Sequence, residues 1–221
     1  MKSPAARKEI FMLNREQVEN NKIKFLQLIS EIDIPDADTQ GLVDYLLGSD
    51  FFTAPASTQY HCNWEGGLCY HSLNVYETLS ELADRYVPGK YSKSSLIVVG
   101  LLHDLAKVNF YEKFIMNKKV YTPNGSKHDN QGNFDWFAEE AYKVKDANDR
   151  FLGGEHGFNS MIIANRYIPM TYEETLAVLH HHAGLGESKQ LFDLSAIMNK
   201  YALVPLLHMA DFLSTFIKEA C

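Results

Sequence analysis

The stretch LLHDLAK, residues 101–107, constrains the fold of this chain most because it places a histidine and an aspartate within an apolar segment. It follows SLIVVG, and the pattern predicts one helix that is apolar on nearly every side, with His103 and Asp104 near its middle. A carboxylate buried without a partner costs several kcal/mol. Lys107, three residues after Asp104, offers a weak ion pair but leaves His103 unexplained. The fold is therefore expected to supply a further positive charge here.

The rest of the chain predicts a mainly α-helical protein. Helical patterns cover residues 8–30, 39–47, 203–219 and a segment that begins at Gly67 and ends before Pro88. MTYEETLAVLHHHAG predicts another helix, with a capping box of Thr171 and Glu174. We expect residues 1–221 to form a single domain, with residues 1–50 as a helical extension packed on it and residues 66–215 as a metal-binding core.

A change of pattern around residues 117–150 predicts a small β-hairpin or flap. This segment has a Pro-Asn-Gly turn and many aromatic and β-branched residues. Its aromatic side chains can stack on a bound base or cover the helical bundle, and we expect the second because aromatic residues of a short sheet usually pack inward. They are Tyr121, Trp136, Phe137 and Tyr142.

Charge and hydropathy exclude several classes of partner. The 221 residues carry a formal net charge of −7, without a run of Lys or Arg longer than a pair, which argues against binding to long nucleic acids. The first 20 residues lack the apolar core of a signal peptide, and no apolar stretch reaches the ~20 residues of a membrane span. We expect a cytoplasmic protein without membrane contact, and an aromatic content of 12% is compatible with a homodimer.

Further ionisable residues occupy positions where apolar ones are expected. His71 lies in the apolar stripe of the helix from Gly67, Asp211 shares a face with apolar neighbours, and His156 follows two glycines. Successive helical residues point about 100° apart, so His180, His181 and His182 cannot all face one point. His181 is the first choice for an inward position and His180 the second, whereas His182 is expected to face solvent or cap the helix. His208 lies on the helix face next to that of Asp211 and is expected to support a ligand or lie at the surface. Imidazole and carboxylate ligands together suit Zn, Mn, Fe, Co or Ni.

The order His71, His103-Asp104 and Asp211 resembles the signature of the HD-domain superfamily of metal-dependent phosphohydrolases. The resemblance includes the contexts GGLCYHSLNV, LLHDLAK and LLHMADFL and spans residues 66–215. It implies a bundle of about five core helices and, with the extra histidines, two divalent transition-metal ions. The first ion would take His71, His103, Asp104 and Asp211; the second would share Asp104 and take His156 with His181 or His180. HHHAGLGE lacks the Gly-Tyr-Pro element of cyclic-di-GMP phosphodiesterases, which disfavours that substrate.

The resemblance implies hydrolysis of a small phosphorylated substrate, such as a nucleotide, by a metal-activated water. Asp104 would hold the metal, and Lys107 could contact a phosphate oxygen as a point charge or face solvent. Some proteins of this fold are instead di-iron oxygenases, so an oxygenase acting on a small polyol or phosphonate is the alternative. The ligand pattern does not separate the two reactions.

Overall fold

The computed structural model describes residues 13–151, 155–182 and 191–220, which form a mainly α-helical fold with one small antiparallel sheet. This confirms the predicted mainly α class. The helices are α1 (Arg15–Ser30), α2 (Thr39–Leu47), α3 (Gly67–Tyr86), α4 (Lys93–Leu102), α5 (His156–Ala164), α6 (Tyr172–Leu179), α7 (Leu191–Lys200) and α8 (Leu203–Leu213). The strands are β1 (Tyr111–Tyr121), β2 (Lys127–Asp129) and β3 (Gly132–Val144). Short 3-10 helices cover Leu105–Lys107 and Ala147–Asp149, and a π-helical turn covers Ser214–Lys218.

Two core clusters are joined by α3 and α4. The first packs α1 and α2 against these helices, and the second packs α6 and α8 against their other side. Representative members of the first cluster are Phe25, Leu42, Leu68 and Leu101, and those of the second are Val75, Val99, Val178 and Leu207. Within the described ranges, no helix combines the length and the apolar character needed to cross a bilayer.

The predicted helix boundaries hold where the sequence supplies a cap. α2 has the predicted bounds, because the Asp38 side chain accepts a hydrogen bond from the Gly41 amide (2.8 Å) at its start and Gly48 follows its end. α3 begins at Gly67 and ends before Pro88, as predicted. Of the helix predicted over residues 8–30, residues 15–30 are helical, and residues 8–12 lie outside the described part of the chain.

The helix predicted through LLHDLAK ends before the histidine. α4 stops at Leu102, His103 caps it, and Asp104 lies in a turn (φ −106°, ψ 19°) that leads into the 3-10 helix. Nδ1 of His103 donates to the carbonyl oxygen of Gly100 at 2.9 Å, which satisfies one of the carbonyls that a helix leaves unpaired at its C-terminus. The prediction was wrong because the apolar residues on both sides continue the helical period through this break.

Gly100 brings the end of α4 close to α3. A Cβ at this position would lie 2.8 Å from Cα of Tyr76, which is closer than such atoms approach in folded proteins. The absent side chain lets the two helices pack together, and the rings of His71 and His103 then lie 5.2 Å apart, centroid to centroid. The glycine thus contributes to the assembly of the polar cluster.

The sheet starts earlier than the flap predicted for residues 117–150 and has three strands. β1 pairs with β3 from Tyr111↔Val144 to Tyr121↔Phe134, and β2 pairs with the other edge of β3, in the order β1-β3-β2. After Val144 the chain leaves the sheet, so residues 145–150 are not strand. The predicted β excursion is present with shifted bounds.

The aromatic side chains of the sheet do not cover the bundle as expected. Tyr121, Trp136 and Phe137 are 41%, 46% and 52% exposed, and Tyr142 is half-buried. β1 and β3 form a long ribbon with both faces largely open to solvent, so the alternation of side chains buries neither face. Phe134 is buried in this ribbon and contacts the ring of Trp136 at 5.8 Å.

Candidate metal centre

Six of the seven side chains predicted as metal ligands lie together in the structure, and they come from five parts of the fold. They are His71 on α3, His103 and Asp104 in the turn after α4, His156 at the start of α5, His181 after α6, and Asp211 on α8. All but His156 are buried. One third of the His156 side chain is exposed, which opens this side of the cluster to solvent.

Asp104 lies at the centre of the cluster, with one carboxylate oxygen towards each half of it. Oδ2 is 3.5 Å from Nε2 of both His71 and His103, and Oδ1 is 3.5 Å from Nε2 of His156 and 3.6 Å from Nε2 of His181. Oδ2 also lies 2.7 Å from the Lys107 ammonium, whereas Oδ1 has no hydrogen-bond partner among the described residues although the side chain is fully buried. Buried carboxylate oxygens normally have such partners, so Oδ1 with its two neighbouring imidazoles suits ligation of a cation.

Backbone carbonyls fix the tautomers of His103 and His181. A carbonyl can accept but not donate, so Nδ1 of His103 donates to Gly100 (2.9 Å) and Nδ1 of His181 donates to Val178 (2.6 Å). In the neutral rings, Nε2 then presents its lone pair to the centre. Both histidines follow the end of a helix and bond the carbonyl three residues back, so one local device positions both rings.

His71 has the same orientation, with a carboxylate in place of a carbonyl. Its Nδ1 lies 3.0 Å from an oxygen of Glu219, and its Nε2 lies 3.2 Å from Asp211 Oδ1. Glu219 also accepts hydrogen bonds from the Asn74 amide (2.8 Å) and the Cys62 thiol (3.2 Å). A carboxylate behind a ligating histidine holds the ring and increases its basicity.

Glu219 reaches His71 because the last helix changes its hydrogen-bonding pattern. Residues 203–219 were predicted as one helix, but α8 ends at Leu213 and the π-helical turn of residues 214–218 follows. The wider turn alters the direction of the residues after it. Glu219 was not predicted from the sequence for this reason, since a continuous α-helix places it on a different face.

Buried acids outnumber permanent cations among the described residues of the centre. Asp104, Asp211 and Glu219 are at most 5% exposed, and Lys107 Nζ lies 2.7 Å from Asp104 Oδ2. Burial would raise the pKa of Asp104, but Lys107 and His103 hold that pKa well below its usual range. Burial would lower the pKa of His71, yet Glu219 and Asp211 raise it to about 10. The three carboxylates therefore draw positive charge into the centre, as a divalent cation would supply.

The structure corrects the expected roles of two of the three consecutive histidines. α6 begins with the predicted capping box and ends at Leu179, so residues 180–182 lie in a turn where the helical spacing no longer applies. His181 points inward, His182 Nε2 lies 3.3 Å from Asp211 Oδ2 rather than serving as a solvent-facing cap, and His180 lies outside the cluster near Glu155. Burial lowers the pKa of His182 to about 4 and that of His156 to about 3, so both are neutral at pH 7.

Two other histidines support the centre from outside. His208 Nδ1 lies 2.7 Å from the carbonyl oxygen of His181, which fits the expected supporting position on an adjacent face. The ring of His61 lies 4.7 Å from that of His71, and burial lowers the pKa of His61 to about 4. His61 was not singled out from the sequence because it lies in an irregular polar segment without periodicity.

The donor set fits transition metals. Among the described residues, three groups of side chains bring candidate ligand atoms within 4.8 Å of one another. His71, His103 and Asp211 form one, and Asp104, His156, His181 and His182 form another. The third consists of His61, His71 and Glu219, which meet at the Nδ1 side of His71, away from Asp104. Neutral imidazoles with a few carboxylates match Zn, Mn, Fe, Co or Ni rather than an all-oxygen site for Ca or Mg. The assignment of individual ligands remains a prediction.

Comparison with known proteins identifies the family. A family model described as the HD domain matches residues 68–194. The dihydroneopterin 2',3'-cyclic phosphate phosphodiesterase of Methanocaldococcus jannaschii is 33% identical over 95 residues, which are 42% of this chain and 37% of that relative. The matched region is thus little more than a third of the relative's length, and no solved structure matches significantly. Because the family match extends over more than half of the chain, the protein belongs to the HD domain family.

Proposed function

We propose that this protein is a metal-dependent phosphohydrolase that acts on a nucleotide or another small phosphate ester. The observation that carries the proposal is the buried Asp104 carboxylate, whose oxygens face two separate sets of imidazole Nε2 atoms. Such a shared carboxylate suits two neighbouring cations, the arrangement used for in-line displacement at phosphorus. The relative from Methanocaldococcus jannaschii is named as a phosphodiesterase, which supports the same reaction class.

The chain offers ligands for two divalent ions. His71, His103, Asp211 and one oxygen of Asp104 would hold the first; the other oxygen of Asp104 with His156 and His181 would hold the second. Bound ions would polarise phosphoryl oxygens and lower the pKa of a bound water to about 7. His182, next to Asp211 and 41% exposed in its side chain, lies where it can contact the second ion or the substrate.

Lys107 is placed to contact the anionic substrate. Its side chain is 13% exposed and its Nζ lies 2.7 Å from Asp104. Asp104 raises the pKa of Lys107 to about 12 despite burial, so the ammonium stays charged. Because it is held beside the centre and is poorly hydrated, this charge can bind a phosphate oxygen more strongly than a solvated lysine. The open side at His156 and His182 provides the route of entry.

The test is hydrolysis of a panel of phosphate esters after chelation and reloading with Mn, Fe, Co, Ni or Zn. The panel holds nucleoside mono-, di- and triphosphates, 2',3'-cyclic nucleotides and simple alkyl phosphates. We expect metal-dependent turnover that Asp104→Asn lowers by more than about 100-fold, because loss of a partner behind a ligand already costs up to about 100-fold and Asp104 is proposed as a ligand itself. Asp129→Asn is the matched control, because Asp129 pairs with Lys119 on the sheet (2.7 Å) outside the centre.

The oxygenase alternative predicts a different result from the same protein. Iron-loaded protein would then consume oxygen with a polyol or phosphonate and release no phosphate from any ester. That result, with metal bound in stoichiometric amount, would contradict the proposed hydrolase. Equal phosphate release by the wild type and Asp104→Asn would also contradict it.

A further inference from the structure

A cavity of about 250 Å³ extends from the metal centre to the surface and changes character along its length. At its inner end lie His181, His182 and Asp211, which belong to the centre. Its outer wall is formed by Tyr60, Phe212 and Phe216. The volume is below the ~300–1,000 Å³ of pockets that enclose a whole ligand, so the cavity fits one part of a substrate whose reacting end lies at the centre.

The outer wall presents aromatic surface to solvent. Tyr60, Phe212 and Phe216 are 82%, 39% and 56% exposed. The rings of Phe212 and Phe216, one turn apart, lie 4.7 Å from each other at an angle of 43°, so they form one contiguous apolar patch. Exposed apolar patches of this kind mark surfaces that bind another molecule, and aromatic faces can stack on a flat ring.

The chemistry of the wall narrows the class of ligand. Among the described residues that line the cavity there is no lysine or arginine, so nothing here favours a second phosphate. A polyol would need several hydrogen-bonding groups. Thr215 and His208, which also line the cavity, already bond Asp211 and the carbonyl oxygen of His181. The Tyr60 hydroxyl, imidazole nitrogens of His61 and His208, and aromatic ring faces are left for a ligand. A planar heteroaromatic ring gains from stacking on such faces whatever its substituents.

We propose that the cavity between Tyr60 and the Phe212–Phe216 pair binds the planar heteroaromatic group of the substrate, while the phosphate of the same molecule lies at the metal centre. This rests on the proposed phosphohydrolase function and deepens it, since it assigns the substrate to nucleoside-like phosphates rather than to sugar or alkyl phosphates. Tyr60 and Phe216 are then specificity-determining residues.

The ring site is tested by binding of a probe that carries no phosphate. The fluorescence of 2-aminopurine riboside is quenched on stacking and reports a Kd for the zinc-loaded protein. We expect Tyr60→Leu and Phe216→Leu each to weaken binding by roughly tenfold, in the lower part of the range for one stacked base. Phe137→Leu is the matched control, because Phe137 is similarly exposed (52%) but lies on the sheet.

Kinetics provide the second measurement. For a nucleoside phosphate, Phe216→Leu should raise KM about tenfold with little change in kcat, whereas turnover of glycerol phosphate should be unaffected. If Phe216→Leu does not fold, Tyr60→Leu replaces it in this test, because Tyr60 is largely exposed and its substitution should not affect folding.

Three results would overturn the ring site: unchanged probe binding in both wall variants, loss of binding in Phe137→Leu alone, or equal displacement of the probe by ribose. If the probe binds as expected while no phosphate ester is hydrolysed, the ring site stands and the proposed reaction fails. Hydrolysis of nucleoside and alkyl phosphates with equal kcat/KM would refute the ring site and leave the hydrolase intact.

Discussion

Removal of the Glu219 carboxylate is expected to weaken metal binding although Glu219 belongs to neither of the two groups assigned to the ions. Its oxygen lies 3.0 Å from Nδ1 of His71, and the Asn74 amide holds it from the other side at 2.8 Å. His71 contributes the Nε2 lone pair to the centre only when its remaining proton stays on Nδ1. Glu219 favours that proton position, and burial leaves the interaction little screened by water.

The expected size of the effect follows from these contacts. Loss of a partner behind a ligating histidine typically costs about 10–100-fold in metal affinity, or roughly 1.4–2.7 kcal/mol. Glu219→Gln keeps an acceptor for Nδ1 but removes the charge, so we expect the lower end, about tenfold. Glu219→Ala removes acceptor and charge together, so we expect about 100-fold.

Calorimetric titration of chelator-treated protein with Mn²⁺ measures the difference. Glu173→Gln is the control, since Glu173 is another partly buried carboxylate that accepts a short hydrogen bond, from Tyr91 at 2.6 Å, but lies outside the centre. It should leave the Mn²⁺ affinity unchanged. If Glu219→Gln and Glu219→Ala bind Mn²⁺ as tightly as the wild type, Glu219 does not position His71 and the reasoning is refuted.

Three further predictions concern the same part of the fold. His182→Ala should lower turnover and the content of the second metal, whereas His180→Ala should change neither. Kinetics and elemental analysis measure the two quantities. Equal effects of the two substitutions would contradict the placement of these side chains. The metal-free protein should be most stable near pH 6.5 in urea unfolding. Below this pH, stability should fall because the lowered pKa values of the partly buried His156 and His182 mean that the unfolded chain binds protons more readily than the folded one. Above it, stability should fall again because the favourable contribution of protonated His71 is lost as the pH rises towards its raised pKa of about 10. A monotonic change of stability with pH would refute this. Gly100→Ala should lower the free energy of unfolding by about 1–3 kcal/mol, because its Cβ would meet the backbone of Tyr76; an unchanged urea midpoint would show that α3 and α4 can separate without cost.

Sequence patterns predicted the parts of the molecule that local interactions determine. α2 has caps at both ends, and α3 has an apolar stripe that ends before Pro88, so both begin and end as expected. His71 and Asp211 were found because each interrupts an apolar face, and a buried ionisable group in such a position needs an explanation whatever the tertiary structure.

The remaining features depend on departures from regular periodicity. The helix break at His103, the turn at residues 180–182 and the π-helical turn before Glu219 all place side chains where a 3.6-residue period does not. In the first two cases a histidine side chain bonds a carbonyl oxygen at the end of a helix, in place of the next backbone amide. Flanking apolar residues continue the helical pattern, so the sequence does not indicate this break. The exposed aromatic residues of the sheet have a different cause, since an extended ribbon with two open faces gives its side chains no core to enter.

The contact between His71 and Glu219 spans 148 residues of chain, and this separation affects how the protein is made. Closing a loop of about 100 residues by a covalent cross-link stabilises a folded chain by about 4.7 kcal/mol in the chain-entropy model, and the proposed ion between α3 and α8 would close a comparably long loop. During synthesis His71 and His103 leave the ribosome long before Asp211 does. An ion captured early would therefore lack its final proposed carboxylate, and the chain would gain the full stabilisation only when the residues of α8 have emerged and folded back onto α3.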